Sequence, residues 1–323
     1  MPEAGDGAKA TALRNPAFGT AGDLAAKPEG RAEAQAETGT TGRGIVLLLA
    51  AVVFFSLFSA SAKWLSETYH PLQIVFFRGF FGLLPVALVL AWDGGGAVRL
   101  ISTRPGLQAV RGLTALGANI CVVFSFRYLP LGEAISIAYA APIFVTILSV
   151  FLLSERVGLH RWGAVAVGFL GILLVAQPGV GVVHPAALVA IFGTVLYAAS
   201  IIATRQLAGS DPVVCTMAWS TGLYVVLSGL VLPFVWVTPD WQDMALFCAL
   251  GLLSGTGMFL FVQAYRLAEA STLAPFDYSS MAWAVLLGFL IWGDVPGLGT
   301  VSGIAVIAAS GLYIMYRERR RRA

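Results

Sequence analysis

Four charged side chains lie inside long apolar runs of this sequence, namely Arg78, Arg111, Glu133 and Asp277. A charge in hydrocarbon is costly, so such residues usually bind a ligand, carry an ion or form an ion pair, although near a helix end they can also reach the interface. We therefore expect each of the four either to bind a substrate or coupling ion, or to form a structural ion pair.

Depth along the apolar runs divides these charges into two sets. Arg78 and Glu133 lie near the starts of runs that enter from one membrane face, and Arg111 and Asp277 lie near the starts of runs that enter from the other. At about 1.5 Å of rise per residue, the members of each set share a level. This predicts two pairs, Arg78 with Glu133 and Arg111 with Asp277.

Two of the charges also have predicted roles in binding. Arg78 is expected to attract an anionic or electron-rich part of a substrate, because its planar guanidinium offers several fixed donors. Asp277 is expected to be a proton-coupling or a cation-binding group. Structural pairing is the alternative for both residues.

Neutral polar and aromatic residues extend the candidate site. Ser59 and Lys63 share one helix face, and Lys63 is also expected to act as an interfacial anchor at the end of its run. The predicted substrate-binding residues are Arg78, Ser59, Tyr139, Tyr197, Asn119, Trp283 and Tyr278. The predicted coupling or ion-pair residues are Asp277, Arg111, Glu133 and Lys63. Simple helix packing is the alternative for each neutral residue.

The composition places the chain in a bilayer. Of its 323 residues 58% are apolar and 11% are charged, whereas soluble domains are about 45–50% apolar. The net charge is only +3, and the basic residues lie at the ends of the apolar runs, so nucleic acid is not an expected partner. The three cysteines and three histidines are scattered, which predicts no metal site, and no cofactor is expected.

Ten apolar runs can be marked after residue 43. They cover approximately 44–64, 72–92, 107–126, 132–153, 162–176, 185–204, 213–237, 244–265, 271–292 and 297–316. Most approach the roughly 20 residues that a helix needs to cross the hydrocarbon, and they lack the two-residue alternation of barrel strands. We predict an all-α integral membrane protein with ten transmembrane helices. Residues 1–43 have few large apolar side chains and are predicted to be a disordered cytoplasmic tail.

The chain also contains an internal duplication. Arg127, Tyr139 and Glu155 recur at the same spacings as Arg266, Tyr278 and Asp294. The predicted halves are 44–178 and 184–318, with five helices each. An odd number of crossings makes the second half enter from the opposite face, so the repeats are expected to be inverted. Inverted repeats are the usual architecture of secondary transporters, with the substrate bound between the halves.

The positive charges predict the orientation. Sixteen of the 20 lysines and arginines lie on one side when the N-terminus is placed in the cytoplasm. Cytoplasmic loops carry the excess of basic residues, so both termini are expected to be cytoplasmic.

Short motifs in both halves resemble a known family. They are Phe77-Arg78-Gly79, Arg127-Tyr128-Leu129-Pro130 leading to Ala141-Pro142, Ser154-Glu155 and Gly293-Asp294. Together with the duplication they resemble the EamA-like branch of the drug/metabolite transporter superfamily, over roughly 44–316. The second half departs from the first by having Ser280-Met281 in place of Ala141-Pro142.

The resemblance implies a metabolite carrier of the inner membrane that works by alternating access. Members of the superfamily move amino acids, nucleotide sugars, triose phosphates, S-adenosylmethionine, riboflavin and other compounds, so the resemblance does not identify the substrate.

The predicted function is therefore secondary transport of a small metabolite, and not catalysis. The sequence has no GxxxxGK[ST] motif that would indicate its own ATP motor. An integral-membrane transferase and a passive channel are the alternatives. The expected partners are a small-molecule substrate and the lipid bilayer, and a homodimer is left open.

Overall fold

The computed structural model describes residues 28–92, 97–153, 158–176, 184–207, 210–268 and 270–322. Within these residues the chain forms twelve α-helices and a short 3-10 helix at Ala97–Leu100, without any strand. The first six helices are α1 (Pro28–Ser66), α2 (Pro71–Trp92), α3 (Pro105–Phe126), α4 (Leu131–Ala138), α5 (Ala141–Leu152) and α6 (Leu159–Ala176). The other six are α7 (Pro185–Leu207), α8 (Val213–Val235), α9 (Trp241–Leu267), α10 (Ala270–Asp277), α11 (Ser279–Trp292) and α12 (Leu298–Arg322). The predicted all-α class is confirmed for the described residues.

The chain divides into two units, Met1–Thr40 and Thr41–Ala323. In the first unit the described residues are helical from Pro28. The tail predicted for 1–43 lies outside the described residues up to position 27, and its disorder stays a prediction.

Seven helical stretches in the described residues are long and apolar enough to cross a membrane. They are Thr41–Ser66, Pro71–Leu88, Pro105–Phe126, Leu131–Leu152, Pro185–Leu207, Val214–Val235 and Trp241–Leu267. Two shorter apolar helices are Trp162–Ala176 and Leu298–Ile314. Large apolar side chains such as Phe234 and Leu290 are exposed on the outside of the bundle. Apolar surface of that extent suits contact with lipid.

The fourth and ninth apolar runs, each predicted as one helix, are both broken in the middle. α4 ends at Ala138 and α5 begins at Ala141, because Pro142 has no N–H to donate to the carbonyl of Ala138. In the second half Met281 stands at the matching position, yet its N–H donates to the Tyr278 carbonyl oxygen three residues back, at 3.1 Å. The break therefore recurs without a proline at the matching position.

The helices pack in a pattern that joins the first part of the chain to the second. α2 packs against α8 and α9, α3 against α7 and α8, α4 against α11, and α6 against α12. The approach of α6 and α12 is especially close, since a Cβ on Gly303 would lie 2.8 Å from the backbone oxygen of Gly171. A larger residue at position 303 would force these two helices apart.

Candidate functional site

Arg78 lies on α2, where four helices converge on its guanidinium. Its Nε donates to the Ser254 hydroxyl oxygen on α9 at 3.3 Å, and its Nη1 donates to the Asn119 side-chain oxygen on α3. The guanidinium carbon also lies 4.4 Å from the centre of the Phe58 ring on α1. All of these partners are neutral. Among the described residues, these dipoles and the ring face contact the positive charge, and no carboxylate lies within ion-pair distance of it.

Asn119 connects this guanidinium to α8. Its Nδ2 donates to the Tyr224 hydroxyl oxygen at 3.0 Å and to the Ala115 backbone oxygen at 2.9 Å. The amide oxygen thus faces Arg78 while the amide nitrogen is held by two acceptors. Sequence analysis predicted Asn119 but missed Tyr224 and Ser254. The available signal was that each is a polar group within an apolar run.

Arg111 lies two turns before Asn119 on α3 and binds the neighbouring helices. Its Nε donates to the Thr204 hydroxyl oxygen on α7 at 2.7 Å. Its Nη1 donates to the Thr216 backbone oxygen on α8 at 3.1 Å and to the Ser220 hydroxyl oxygen. This second guanidinium also has neutral hydrogen-bond partners.

The predicted pairing of these charges is wrong. Neither guanidinium contacts the carboxylate assigned to it. Glu133 instead accepts from the Thr300 hydroxyl at 3.2 Å, and Asp277 accepts from the Tyr139 hydroxyl at 3.3 Å. Depth in the membrane placed the charges at a common level, but it could not show which helices are neighbours.

Asp277 lies at the end of α10 beside the two helix breaks. The ring centres of Tyr139 and Tyr278 lie 5.6 Å apart, with 52° between the ring planes. The Tyr278 hydroxyl is buried without a hydrogen-bond partner among the described residues. It reaches α12 only because residue 311 is glycine, since a Cβ there would lie 1.8 Å from the hydroxyl oxygen. The two tyrosines, which the sequence predicts to occupy equivalent positions in the repeats, are thus in direct contact.

Tyr197, on α7, links the cationic and anionic parts of the site. It is close enough to Arg78, Arg111 and Asp277 to interact electrostatically with all three. It is also 49% exposed. Part of the Tyr197 side chain is therefore accessible to a ligand or to lipid.

Two predicted residues have different surroundings. Ser59 is buried, and its hydroxyl donates to the Phe55 backbone oxygen of its own helix at 2.9 Å. Trp283 lies partly exposed on α11, and it is not among the described contacts of Arg78 or Asp277. The structure therefore does not bring these two side chains into the polar cluster.

The predicted role of Lys63 as an interfacial anchor is wrong, because its side chain is buried, with 8% exposure. Its Nζ donates to the backbone oxygens of Leu129 at 2.7 Å and Phe126 at 3.3 Å, just after and at the end of α3. Helix ends leave carbonyls without intrahelical donors. The Asp294 carboxylate lies 3.9 Å from Lys63 Nζ, and these two residues form the ion pair found among the described residues.

Glu133 and Asp294 line a cleft to which Arg78, Arg111 and Asp277 do not contribute. The cleft has about 270 Å³ of open volume, and Thr300 and Pro296 also contribute to its wall. Within the described residues, no group of three or more histidine, cysteine, aspartate or glutamate side chains could hold a metal ion.

Two polar contacts between loops were missed at the sequence level. Asp211 accepts from the Thr103 backbone N–H at 3.0 Å, from Gln108 Nε2 at 2.8 Å and from the Ser102 hydroxyl. These hydrogen bonds, led by that of Ser102, hold the pKa of Asp211 well below its usual range. Asp211 therefore fastens the start of α8 to the start of α3.

The second contact joins the loop before α2 to the connection between α8 and α9. Tyr69 donates to the Asp243 carboxylate at 2.6 Å. Burial, followed by this hydrogen bond, raises the pKa of Tyr69 to about 12. Gln73 donates to the Val237 backbone oxygen at 2.6 Å and accepts from its N–H at 3.0 Å.

Long apolar helices surrounding polar and charged side chains define the class of a helical membrane protein with a polar interior site. The chain belongs to the EamA-like transporter family, whose profile matches residues 42–177 and 184–317. The two matches confirm the predicted family and the duplication of its unit. The chain is therefore a multi-pass membrane transport protein, as predicted, and not an enzyme.

Similar proteins have several different transport functions. An S-adenosylmethionine uptake transporter of Rickettsia prowazekii is 25% identical, over 86% of this chain and 94% of its own. A riboflavin transporter of Rhizobium johnstonii is 29% identical, over 86% and 92%. A pseudopaline exporter of Pseudomonas aeruginosa is 25% identical, over 83% and 94%. A crystal structure at 18% identity matches with a TM-score of 0.61, over 87% of this chain and 99% of its own, which shows the fold alone.

Proposed function

We propose that this protein is a secondary transporter that carries a small metabolite across the inner membrane by alternating access. Arg78 binds an anionic group of that metabolite. The observation that carries the proposal is the guanidinium of Arg78, which is held by neutral side chains from α3 and α9, one from each half of the chain. A cation that lacks a counter-ion inside a membrane protein is expected to receive one from its ligand.

Helix packing supports two pseudosymmetric halves. The helix pairs α2–α8 and α6–α12 each join equivalent helices of the two repeats, and α4–α11 joins parts of the two equivalent broken helices. Because α2 corresponds to α8 and α3 corresponds to α9, the contact of α2 with α9 is also equivalent to the contact of α8 with α3. When each broken helix is counted as one crossing, the proposed architecture has ten crossings in two inverted repeats. The bias of positive charge supports cytoplasmic termini.

The paired helix breaks support a binding site near the middle of the membrane. Transporters with inverted repeats bind substrate where discontinuous helices expose backbone groups to a cavity. Here the breaks lie at Tyr139 and Tyr278, beside Asp277. The proposed substrate region therefore extends from Arg78, past Tyr197, to the breaks.

The relatives support a small organic substrate. S-adenosylmethionine, riboflavin and pseudopaline differ in shape and charge, and the named functions include both uptake and export.

Counterflow in proteoliposomes tests this function. Purified protein is screened by thermal shift against small metabolites, beginning with S-adenosylmethionine, and compounds that stabilise it are radiolabelled. A carrier takes up label faster when unlabelled compound is present inside the vesicles. Uptake without such acceleration would indicate a channel, and chemical conversion of the compound would indicate an enzyme.

A further inference from the structure

We propose that the transported metabolite is a zwitterion, whose anionic group binds Arg78 and whose cationic group binds Asp277. This inference rests on the proposed transport function and names the substrate class of the same site. It depends on two charges of opposite sign that have no ion-pair partner among the described residues.

The first charge is that of Arg78. Its hydrogen-bond acceptors are the oxygens of Asn119 and Ser254, and its ring contacts are Phe58 and Tyr224. The orientation of the Asn119 amide is itself fixed, because its nitrogen donates a hydrogen bond to the Tyr224 hydroxyl oxygen. These described contacts thus orient the guanidinium, and none of them supplies a negative charge.

The second charge is that of Asp277. Its described hydrogen bond comes from a phenol, that of Tyr139, at 3.3 Å. The ion pair found in the described residues is formed by Lys63 and Asp294, which belong to a different cluster. An ionised carboxylate in a low-dielectric site is stable when it is paired and hydrogen-bonded. Asp277 has the hydrogen bond, but no cation of the described part of the chain lies within ion-pair distance of it.

The two charges come from different halves and share one neighbour. Arg78 is on α2 and Asp277 is at the end of α10, and both interact electrostatically with Tyr197. A single ligand that spans this region would neutralise both charges at once. A ligand with only one charge would leave the other buried without a partner.

Aromatic rings favour a cation at the Asp277 end. Tyr139 and Tyr278 pack against each other there, and ring faces attract ammonium and sulfonium groups. At the Arg78 end, Arg111 lies two turns before Asn119 on α3 and adds a second positive charge. These fields fix the polarity of the ligand, with its anionic group toward α2 and α3 and its cationic group toward α10.

Matched derivatives test the inference on the wild-type protein. The probes are the standard α-amino acids with uncharged side chains, each with its N-acetyl derivative, which removes the cation, and its carboxamide, which removes the anion. Affinity is measured by thermal shift and by calorimetry. Stabilising compounds are expected to be zwitterions that lose at least about tenfold in affinity with either modification, equivalent to one lost charge contact.

Two variants then assign each charge to its end of the ligand. Asp277→Asn is expected to reduce the penalty for N-acetylation to within about twofold, while the penalty for the carboxamide stays. Arg78→Gln is expected to reduce the penalty for the carboxamide to within about twofold, while the penalty for N-acetylation stays. Glu133→Gln is the matched control, since this carboxylate is bonded to Thr300, and it is expected to keep both penalties.

Several results would overturn the inference. Equal binding of a zwitterion and its blocked derivatives by the wild type would do so, as would stabilisation only by singly charged or neutral compounds. If Asp277→Asn keeps the zwitterion preference and only removes pH dependence, Asp277 carries a proton instead. Zwitterion binding without counterflow would refute transport alone, whereas counterflow of a singly charged compound would refute this inference alone.

Discussion

Tyr139 and Tyr278 occupy equivalent positions in the two halves of the chain, and their ring centres lie 5.6 Å apart. Each tyrosine stands at the break of its own helix. The duplication thus places its two helix breaks face to face. Because Asp277 accepts a hydrogen bond from Tyr139, a movement between the halves would change the surroundings of that carboxylate.

The contact of Tyr278 with α12 leads to the first prediction. In Gly311→Ala the new methyl would overlap the Tyr278 hydroxyl, so the ring must move away from its present place. Overpacking of this kind costs about 1–3 kcal/mol, and transport is expected to fall with stability. Gly163→Ala is the matched control, because a Cβ at that helical glycine meets nothing within 4 Å. Thermal unfolding in detergent and uptake assays compare the two variants. Equal losses of stability and uptake in both would contradict the close contact between Gly311 and Tyr278.

The Asp211 contact leads to the second prediction, on pH and stability. The carboxylate has a lowered pKa, so its stabilising effect is present above the unfolded pKa of about 3.9 and is lost as pH falls through the folded value. Asp211→Asn is therefore expected to lower the melting temperature at pH 7 by several degrees. The difference from the wild type is expected to shrink in acid.

Asp240→Asn is the control for that experiment. Asp240 caps α9 by accepting from the Asp243 N–H at 2.8 Å, and asparagine caps helices about as well as aspartate. A melting temperature that falls as much in this variant as in Asp211→Asn would refute the special role of Asp211.

Topology leads to the third prediction. Single cysteines at Asp240 and Ser210 are expected to react with membrane-impermeant reagent from the outside and the cytoplasm, respectively. Cysteines at Gly181 and Gly95, which lie outside the described residues, are expected to follow with outside and cytoplasmic labelling. Cysteine-free protein serves as the background. Reversed labelling at any of the four positions would refute the inverted arrangement.

The sequence was sufficient for the helices because their signal is local. The run predicted at 107–126 became α3 at Pro105–Phe126, and the run at 185–204 became α7 at Pro185–Leu207. The break at Tyr278 had no such signal, since Met281 is not a proline and its N–H donates to the carbonyl three residues back, where a helix would use four. Pro142 did mark the first break, but it lies within a continuous apolar run that was predicted as one helix.

The site was predicted less well because it depends on lateral neighbours. Arg78, Asn119 and Asp277 stood out as polar groups in apolar runs. Their partners Ser254 and Tyr224 could be chosen only once α2 and α3 were known to pack against α9 and α8. The wrong pairing of Arg78 with Glu133 has the same origin, because the sequence gives depth along a helix but not the helix beside it.

The affinity of Arg78→Gln for a transported metabolite tests the central claim most directly. The measurement uses counterflow in proteoliposomes with the compound that stabilises the wild type most, and it is restricted to variants that retain the wild-type elution profile. Arg205→Gln, an exposed cation at the end of α7, is the control. The account predicts that Arg78→Gln raises the half-saturating concentration at least about tenfold, equivalent to one lost charge contact, while Arg205→Gln does not. Wild-type affinity in folded Arg78→Gln would contradict it.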